Sequence, residues 1–524
     1  METVRTRIAP SPTGPQMHIG NFRTALYSYF WAKKNKGEFI LRVEDTDRKR
    51  YVKGSVEGYL DLFNSFGIKV DRHPTQEEIL DMDDVIFPKS NWLFDEEYLN
   101  NIKDEEFESV YIQTKRLPLY LKYAAKLVNL GFAYVCFLTE EELEQAKSAM
   151  PQHQPFRSPH RFMKPNEVKS LVESGKEFVI RLNVEKFIEF KGTNIVDYDD
   201  LVLGKMKFDL TTVDDQVLIK SNGIPTYHLA VVIDDYNMQI THPIRGYGWL
   251  PSTPKQIMIY EMLGWKMRPF AHVTDILDPA GGKLSKRKGA VHASEFIKQG
   301  YLPEAIINFI SLVGWTPKIE RNFGEKEREV FSMQEIIDLF DISGISNVNP
   351  IFDRTKLAWF NKEYFKLKTS EELAKLFIEW CEKYSEDKSM LEQYKSDSTL
   401  SKKIELVKER ATTLSEIANQ IQFFYQALSN IDWNIDQVAA FKDKLEILKQ
   451  EVYHVMNSLE EDPSKWIQSE WVDKMRSIAQ KYALKNGDPF MVLRMCVVGS
   501  PFSPSLFEAM QLINKAELLN RISK

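Results

Sequence analysis

Two rhythms of apolar and polar positions run through the first quarter of the chain. Arg5–Ala9 reads as a short strand that enters a Pro/Gly-rich loop, Pro10 to Pro15. Beyond it, Phe22, Ala25, Leu26, Tyr29 and Phe30 recur at helical spacing and predict an amphipathic helix. Phe39–Val43 predicts a second strand; Val56, Tyr59, Leu60 and Phe63 predict a second helix. Strand, helix, strand at this spacing predicts a βαβ unit, and with it a parallel sheet. A helix follows around Leu117–Leu130, then strands at Phe178–Leu182 and Val217–Lys220. Val231–Ile233 and Met238–Ile244 carry strand signals again, as if a split sheet were being resumed. From Pro303 onward the pattern is almost wholly helical. One stripe is Ile404, Val407, Ala411, Leu414, Ile417 and Ile421; another is Val438, Leu445, Leu448, Val452 and Val455. Both are read as bundle core. No internal repeat or low-complexity tract interrupts the series.

At 524 residues the chain is long enough for several domains, and 43% hydrophobic with 27% charged residues is ordinary for a folded protein. The opening Met1–Arg5 lacks the apolar core of a secretory signal, and no run of about 18 apolar residues predicts a membrane span. Cys136, Cys381 and Cys496 lie too far apart for a disulfide framework or a zinc spacing, so a cytoplasmic location is expected. The net charge of −6 is concentrated: Glu77 to Glu108 holds 12 acidic residues against Lys89 and Lys103. The rest carries 67 basic and 63 acidic residues, so the total excludes no nucleic-acid partner.

Two segments carry candidate chemistry. Ala9-Pro10-Ser11-Pro12-Thr13-Gly14 leads into His18-Ile19-Gly20, between the first strand and the first helix. A helix start offers N–H groups and partial positive charge suited to phosphate. Gly20 would let a flat base approach the backbone, and His18 could donate to phosphoryl oxygens. The second is Ala280-Gly281-Gly282-Lys283-Leu284-Ser285-Lys286-Arg287-Lys288-Gly289, a Gly-flanked basic loop whose lysines suit a triphosphate or departing pyrophosphate. Taken singly, these are a loop with a surface histidine and a solvated basic turn; their order along one chain makes them a specific pair.

That pair resembles the His-Ile-Gly-His and Lys-Met-Ser-Lys-Ser signatures of class I aminoacyl-tRNA synthetases, here His18-Ile19-Gly20-Asn21 and Lys283-Leu284-Ser285-Lys286-Arg287. Arg7–Gly14, Arg42-Val43-Glu44-Asp45-Thr46-Asp47, Pro225–Ala230, Ser252–Gln256 and Ser503–Glu508 narrow the resemblance to the bacterial glutamyl-tRNA synthetase family over nearly the whole chain. The resemblance implies an α/β fold: a Rossmann-like parallel-sheet catalytic domain, split by an inserted acceptor-binding domain and followed by all-α anticodon-binding domains. The implied divisions are residues 1–112 (with an acidic insertion at about 74–110), 113–224, 225–280, 281–367 for the basic loop and a stem-contact domain, and 368–524.

It further implies His18, Gly20, Lys283 and Lys286 as catalytic residues. His18, Gly20, Trp249 and Lys286 would bind ATP; Arg7, Ala9, Ser11, Glu44, Tyr227 and Arg245 would bind glutamate. Two carboxylates and one ammonium do call for arginines and one acid, with Glu44 taking the ammonium; Asp45 and Asp47 are read as structural. The implied substrates are L-glutamate, ATP with Mg²⁺ and tRNA(Glu), joined through a glutamyl adenylate by a monomer with no membrane attachment. Three departures stand out: three residues separate Gly14 from His18 where two are common, Tyr247-Gly248 replaces acids beside the ATP pocket, and Cys136-Phe137-Leu138 lacks the second cysteine of a zinc pair. No protein-bound zinc is therefore expected, and Cys136 is read as a buried apolar residue. The alternatives are an enzyme that also charges tRNA(Gln) and a non-catalytic tRNA-binding paralogue.

Overall fold

The computed structural model describes every residue except 1, 90, 152–153, 285–290, 320–327, 427, 429–430 and 524. The chain divides into two units, one of residues 2–294 with 307–353 and one of residues 295–306 with 354–523. Lys286, from the second motif, lies outside the described residues.

In the first unit, β1 (Arg5–Ile8) and β2 (Glu38–Leu41) pair in parallel, with α1 (Ile19–Lys34) as the crossover between them. The expected βαβ unit is present. The helix itself is not amphipathic: Phe22 to Phe30 are all buried, Arg23, Thr24 and Ser28 included. One side of α1 packs on the sheet. On another, Arg23 donates to the Val313 carbonyl, Tyr27 to the Ser311 and Val313 carbonyls, and Phe340 packs on Tyr27 and Phe30. Partners on both sides remove the solvent face that the apolar spacing implied.

The helix α2 (Ser55–Ser65) fixes the Pro10–Pro15 loop. Gly14 N–H donates to Ser55 Oγ, Tyr59 OH donates to the Ser11 carbonyl, and Pro15 sits on Gly58. A Cβ on Gly58 would lie 2.4 Å from Pro15 Cβ, so only glycine permits this approach. The acidic insertion contributes two short helices, α3 (Gln76–Leu80) and α4 (Glu96–Asn101). Its Ile79 and Met82 pack with Val43, Val56 and Ile112, while Glu77, Asp81, Asp83 and Asp84 face solvent.

Next come α5 (Leu117–Asn129) and the antiparallel strands β3 (Ala133–Cys136), β4 (Val179–Leu182) and, later in the chain, β7 (Val217–Ile219), in the order β3-β4-β7. Cys136 is buried, its Sγ 3.4 Å from Ser158 Oγ. A hairpin of β5 (Ile195–Asp200) and β6 (Gly204–Asp209) precedes β7. The sequence reading missed it: burial along β5 alternates, but the inward positions are Val196, Tyr198 and Asp200, and a buried carboxylate breaks the apolar pattern.

Parallel pairing resumes with β8 (Ile244–Gly246) and β9 (Ala271–Val273). Val231–Ile233, read as strand, instead belongs to the helix Tyr227–Asn237. All three residues are buried, and a run buried on every side shows no period by which helix and strand differ. The Met238–Ile244 strand reduces to its last residue, since Gln239 turns the chain at φ 57°.

In the second unit the described residues form helices only. The stripe at 404–421 is buried as expected but belongs to two helices, Leu400–Lys408 and Leu414–Ile421, the second capped by Thr413 Oγ1 on Glu416 N–H. The second stripe runs through the helices Asp436–Ala439 and Leu445–Asn457; Val455 alone of its members is only half-buried.

Candidate active site

The loop after β1, the start of α1, the end of β2, the helix Tyr227–Asn237 and β8 surround a cavity of about 440 Å³. Arg7, Ala9, Ser11, His18, Glu44, Tyr227, Arg245 and Trp249 all line it, so residues spread over most of the first unit meet at one site. Lys283 does not line the cavity. It pairs with Asp275 at 2.9 Å at the near end of the basic loop, where Leu284 N–H donates to the Ile276 carbonyl. The far end of that loop returns to the first motif: Ile19 N–H donates to the Val291 carbonyl and Ala293 N–H to the Met17 carbonyl. His292, between them, lines the cavity. Both ends of the second motif are thus anchored, and one of them is bonded to the first.

His18 caps α1. Its Nδ1 accepts from Gly20 N–H at 3.1 Å, which in the neutral ring places the proton on Nε2. The amides of Ile19 and Gly20 are therefore engaged within the protein.

Beneath the cavity lies a buried ionic cluster that the sequence did not disclose. Arg7 donates through Nε and Nη2 to Asp235 (3.1 and 3.0 Å) and through Nη1 to the Ile244 carbonyl. Arg42 joins Asp235 at 2.6 Å and Glu44 at 3.0 Å, and Arg116 joins Asp234 at 2.7 Å. Asp234 and Asp235 sit on the helix that had been read as strand. Burial opposes ionisation of Asp235, but Arg7 and Arg42 hold its carboxyl below the usual value. Glu44 has the opposite balance: burial pushes its carboxyl up, against Arg42 and Arg7. An ammonium group arriving at Glu44 would offset that penalty. Asp45 is structural, as expected, accepting from Thr114 N–H and Oγ1 and pairing with Arg48.

Arg245 differs from Arg7. It is 4% exposed, yet its acceptors are His272 Nε2 (2.9 Å), Gln256 Oε1 (2.6 Å), Thr253 Oγ1 (2.9 Å) and, weakly, Tyr227 OH (3.4 Å). Its guanidinium also lies 4.3 Å from the centroid of the Phe270 ring. Among the described residues no carboxylate pairs with it, so this site holds a buried positive charge suited to an incoming anion. Trp249 stacks on Tyr227 with ring centroids 4.1 Å apart and is 44% exposed, which leaves a flat aromatic wall at the cavity mouth. The described residues contain no group of three or more His, Cys, Asp or Glu able to hold a metal. They also contain no helix long and apolar enough to cross a membrane.

Parallel strand pairs with a capped His-Ile-Gly helix start, bonded to Val291–Ala293 beside an anion-ready pocket, define a class I aminoacyl-tRNA synthetase fold. The sequence matches the class I tRNA synthetase catalytic domain for glutamate and glutamine over residues 3–359, and an anticodon-binding domain over 372–524. It is 34% identical to a glutamate–tRNA ligase of Alkaliphilus metalliredigens, covering 100% of this chain and 98% of that one. It is 35% identical to one of Finegoldia magna, covering 100% and 99%. A crystal structure of a glutamate tRNA ligase from Elizabethkingia meningosepticum in complex with its amino acid matches with a TM-score of 0.77 at 32% identity, covering 100% of this chain and 99% of that one. The chain belongs to the glutamate–tRNA ligase family.

Proposed function

We propose that this protein ligates L-glutamate to tRNA(Glu) through a glutamyl adenylate, consuming ATP and releasing AMP and pyrophosphate. The observation that carries the reading is the pairing, in one cavity, of a carboxylate-free buried arginine, Arg245, with a lone lining acid, Glu44. Arg7, Tyr227 and Arg245 take the substrate's carboxylates, Glu44 takes its ammonium, and Ala9 and Ser11 shape the floor. The α-carboxylate then attacks the α-phosphate of ATP, and a terminal ribose hydroxyl of the tRNA attacks the resulting mixed anhydride. No protein nucleophile is required, so positioning and charge do the catalysis.

In this reading the His18 Nε2–H donates to the phosphoryl oxygens. Gly20 and Trp249 border the adenosine, and Lys283 and Lys286 stabilise the departing pyrophosphate. Mg²⁺ arrives with ATP, held mainly by the substrate's phosphates. Residues 113–224 serve the acceptor end, 281–367 the stem and 368–524 the anticodon, and the enzyme acts as a cytoplasmic monomer. The test is charging of purified tRNA isoacceptors with labelled glutamate and glutamine, alongside pyrophosphate exchange with tRNA present. Glutamate transfer to tRNA(Glu) is expected. Absence of exchange and charging alike would refute the activity.

A further inference from the structure

The Arg245 side chain is held by a chain of hydrogen bonds that begins in the β5–β6 hairpin. Asp200, at the end of β5, is 4% exposed. Its Oδ1 accepts from three backbone amides: Val202 (2.9 Å), Leu203 (3.0 Å) and His272 (3.2 Å). Its Oδ2 accepts from Tyr198 OH and lies 2.5 Å from His272 Nδ1. On the other side of that imidazole, Nε2 accepts from Arg245 Nε at 2.9 Å. An arginine is always a donor, so Nε2 must present its lone pair. The imidazole proton therefore sits on Nδ1, facing Asp200. Asp200, His272 and Arg245 are all nearly or fully buried, so water cannot substitute for a lost partner between them.

We infer that Asp200 and His272 are positioning residues for substrate recognition: by fixing the imidazole tautomer they aim the Arg245 guanidinium at the substrate carboxylate. Neither residue lines the cavity, and the first belongs to the segment inserted between the two halves of the parallel fold. The amino-acid pocket is thus completed by a hairpin outside the catalytic sheet. The inference rests on Arg245 being a carboxylate-binding residue, as proposed above.

Asp200→Asn is the sharpest perturbation because the three amides dictate its orientation. They keep the amide oxygen where Oδ1 lies, so the amide NH₂ must face His272 Nδ1. Nδ1 must then accept, the proton moves to Nε2, and Nε2–H opposes Arg245 Nε–H, donor against donor. Tyr198 can rotate its hydroxyl, so the hairpin itself keeps its bonds. The KM for glutamate should rise by about 10–100-fold, the range seen when an outer partner that orients a metal-binding histidine is lost, while the KM for ATP stays near wild type and the melting curve moves only modestly to lower temperature. His272→Gln, whose amide offers a donor to one side and an acceptor to the other, should lose much less than His272→Leu.

Arg245→Ala is measured in parallel. If it leaves the KM for glutamate unchanged, the reading of the pocket fails. If it raises that KM and Asp200→Asn does not, the pocket stands and the relay is wrong. Should Asp200→Asn fold poorly, ¹⁵N spectra of histidine-labelled wild-type enzyme decide, with His272 assigned among the nine histidines by His272→Gln. An Nδ1–H neutral ring supports the relay; an Nε2–H ring or an imidazolium overturns it.

Discussion

Arg7→Met removes one arginine from the buried ionic cluster while keeping an apolar stem of similar length. Asp235 then keeps a single guanidinium donor, Arg42 Nη1, in place of three N–H groups from two arginines. Both partners of the lost pair are almost wholly shielded, with 4% and 2% of their side chains exposed. Removing one side of such a pair strands a charge that water cannot reach, a loss of about 3–5 kcal/mol. Urea unfolding followed by near-ultraviolet circular dichroism should show the catalytic unit melting earlier by that amount. Adding Asp235→Asn removes the stranded charge and should restore part of the stability. Charging should behave differently: losing one charged hydrogen bond to substrate costs about 1.5–3 kcal/mol of transition-state stabilisation for glutamate. Glutamine should lose less, so selectivity shrinks in the single and in the double variant. A single variant that unfolds like wild type would refute the energetics of the cluster. One that unfolds early but keeps its glutamate preference would show that Arg7 acts on the scaffold and not on substrate.

Three further outcomes are expected. Lys286→Ala should slow adenylate formation by about 10²–10³ with little change in glutamate binding, and pyrophosphate exchange near the wild-type rate would exclude that role. Burial works against ionisation of Asp200, but bonds from His272 and Tyr198 bring its carboxyl down to about 2. Its contribution is thus present above the ordinary aspartate value and lost as pH falls through about 2, at most about 2.5 kcal/mol. Acid-unfolding profiles of wild type and Asp200→Asn should therefore converge over that window, and parallel profiles would refute the assignment. A fragment ending at Leu367 should aggregate: it keeps Phe296, Leu302, Leu357 and Phe360, all buried in the second unit, without the helices that cover them. Burying such a side chain is worth about 1.5–3 kcal/mol, so a monodisperse fragment that binds no hydrophobic dye would contradict this.

That last expectation departs from the sequence reading, which placed a separable helical core beyond residue 367. The stripes at 404–421 and 438–455 were legible because helix periodicity is local and a buried face repeats every three or four residues. Nothing in that period reveals that residues 295–306 fold with them. Gly300 lies so close to Leu414 and Ser415 that a Cβ would meet their backbone nitrogens at 2.8 and 2.7 Å, and Asn361 reaches the Thr412 carbonyl. Such contacts depend on where the chain returns, which residue type does not encode locally.

The same division runs through the active site. The words Ala9–Gly14, His18–Gly20 and Lys283–Lys286 were legible because each is a short local word, whereas Glu44, Tyr227 and Arg245 were named only through the resemblance to a family. The sequence also determined the parallel βαβ start, since its strand and helix signals are adjacent. Only the tertiary structure decided how charge is distributed among the arginines. It tied Arg7 to Asp235, on a helix whose β-branched, fully buried run looked like a strand. Among the described residues it left Arg245 without a carboxylate, joined Val291–Ala293 to Met17–Ile19, and placed Asp200 behind His272. Each of these is set by electrostatics across long stretches of chain, where the energy of a charge depends on its buried neighbours and not on the residues beside it in sequence.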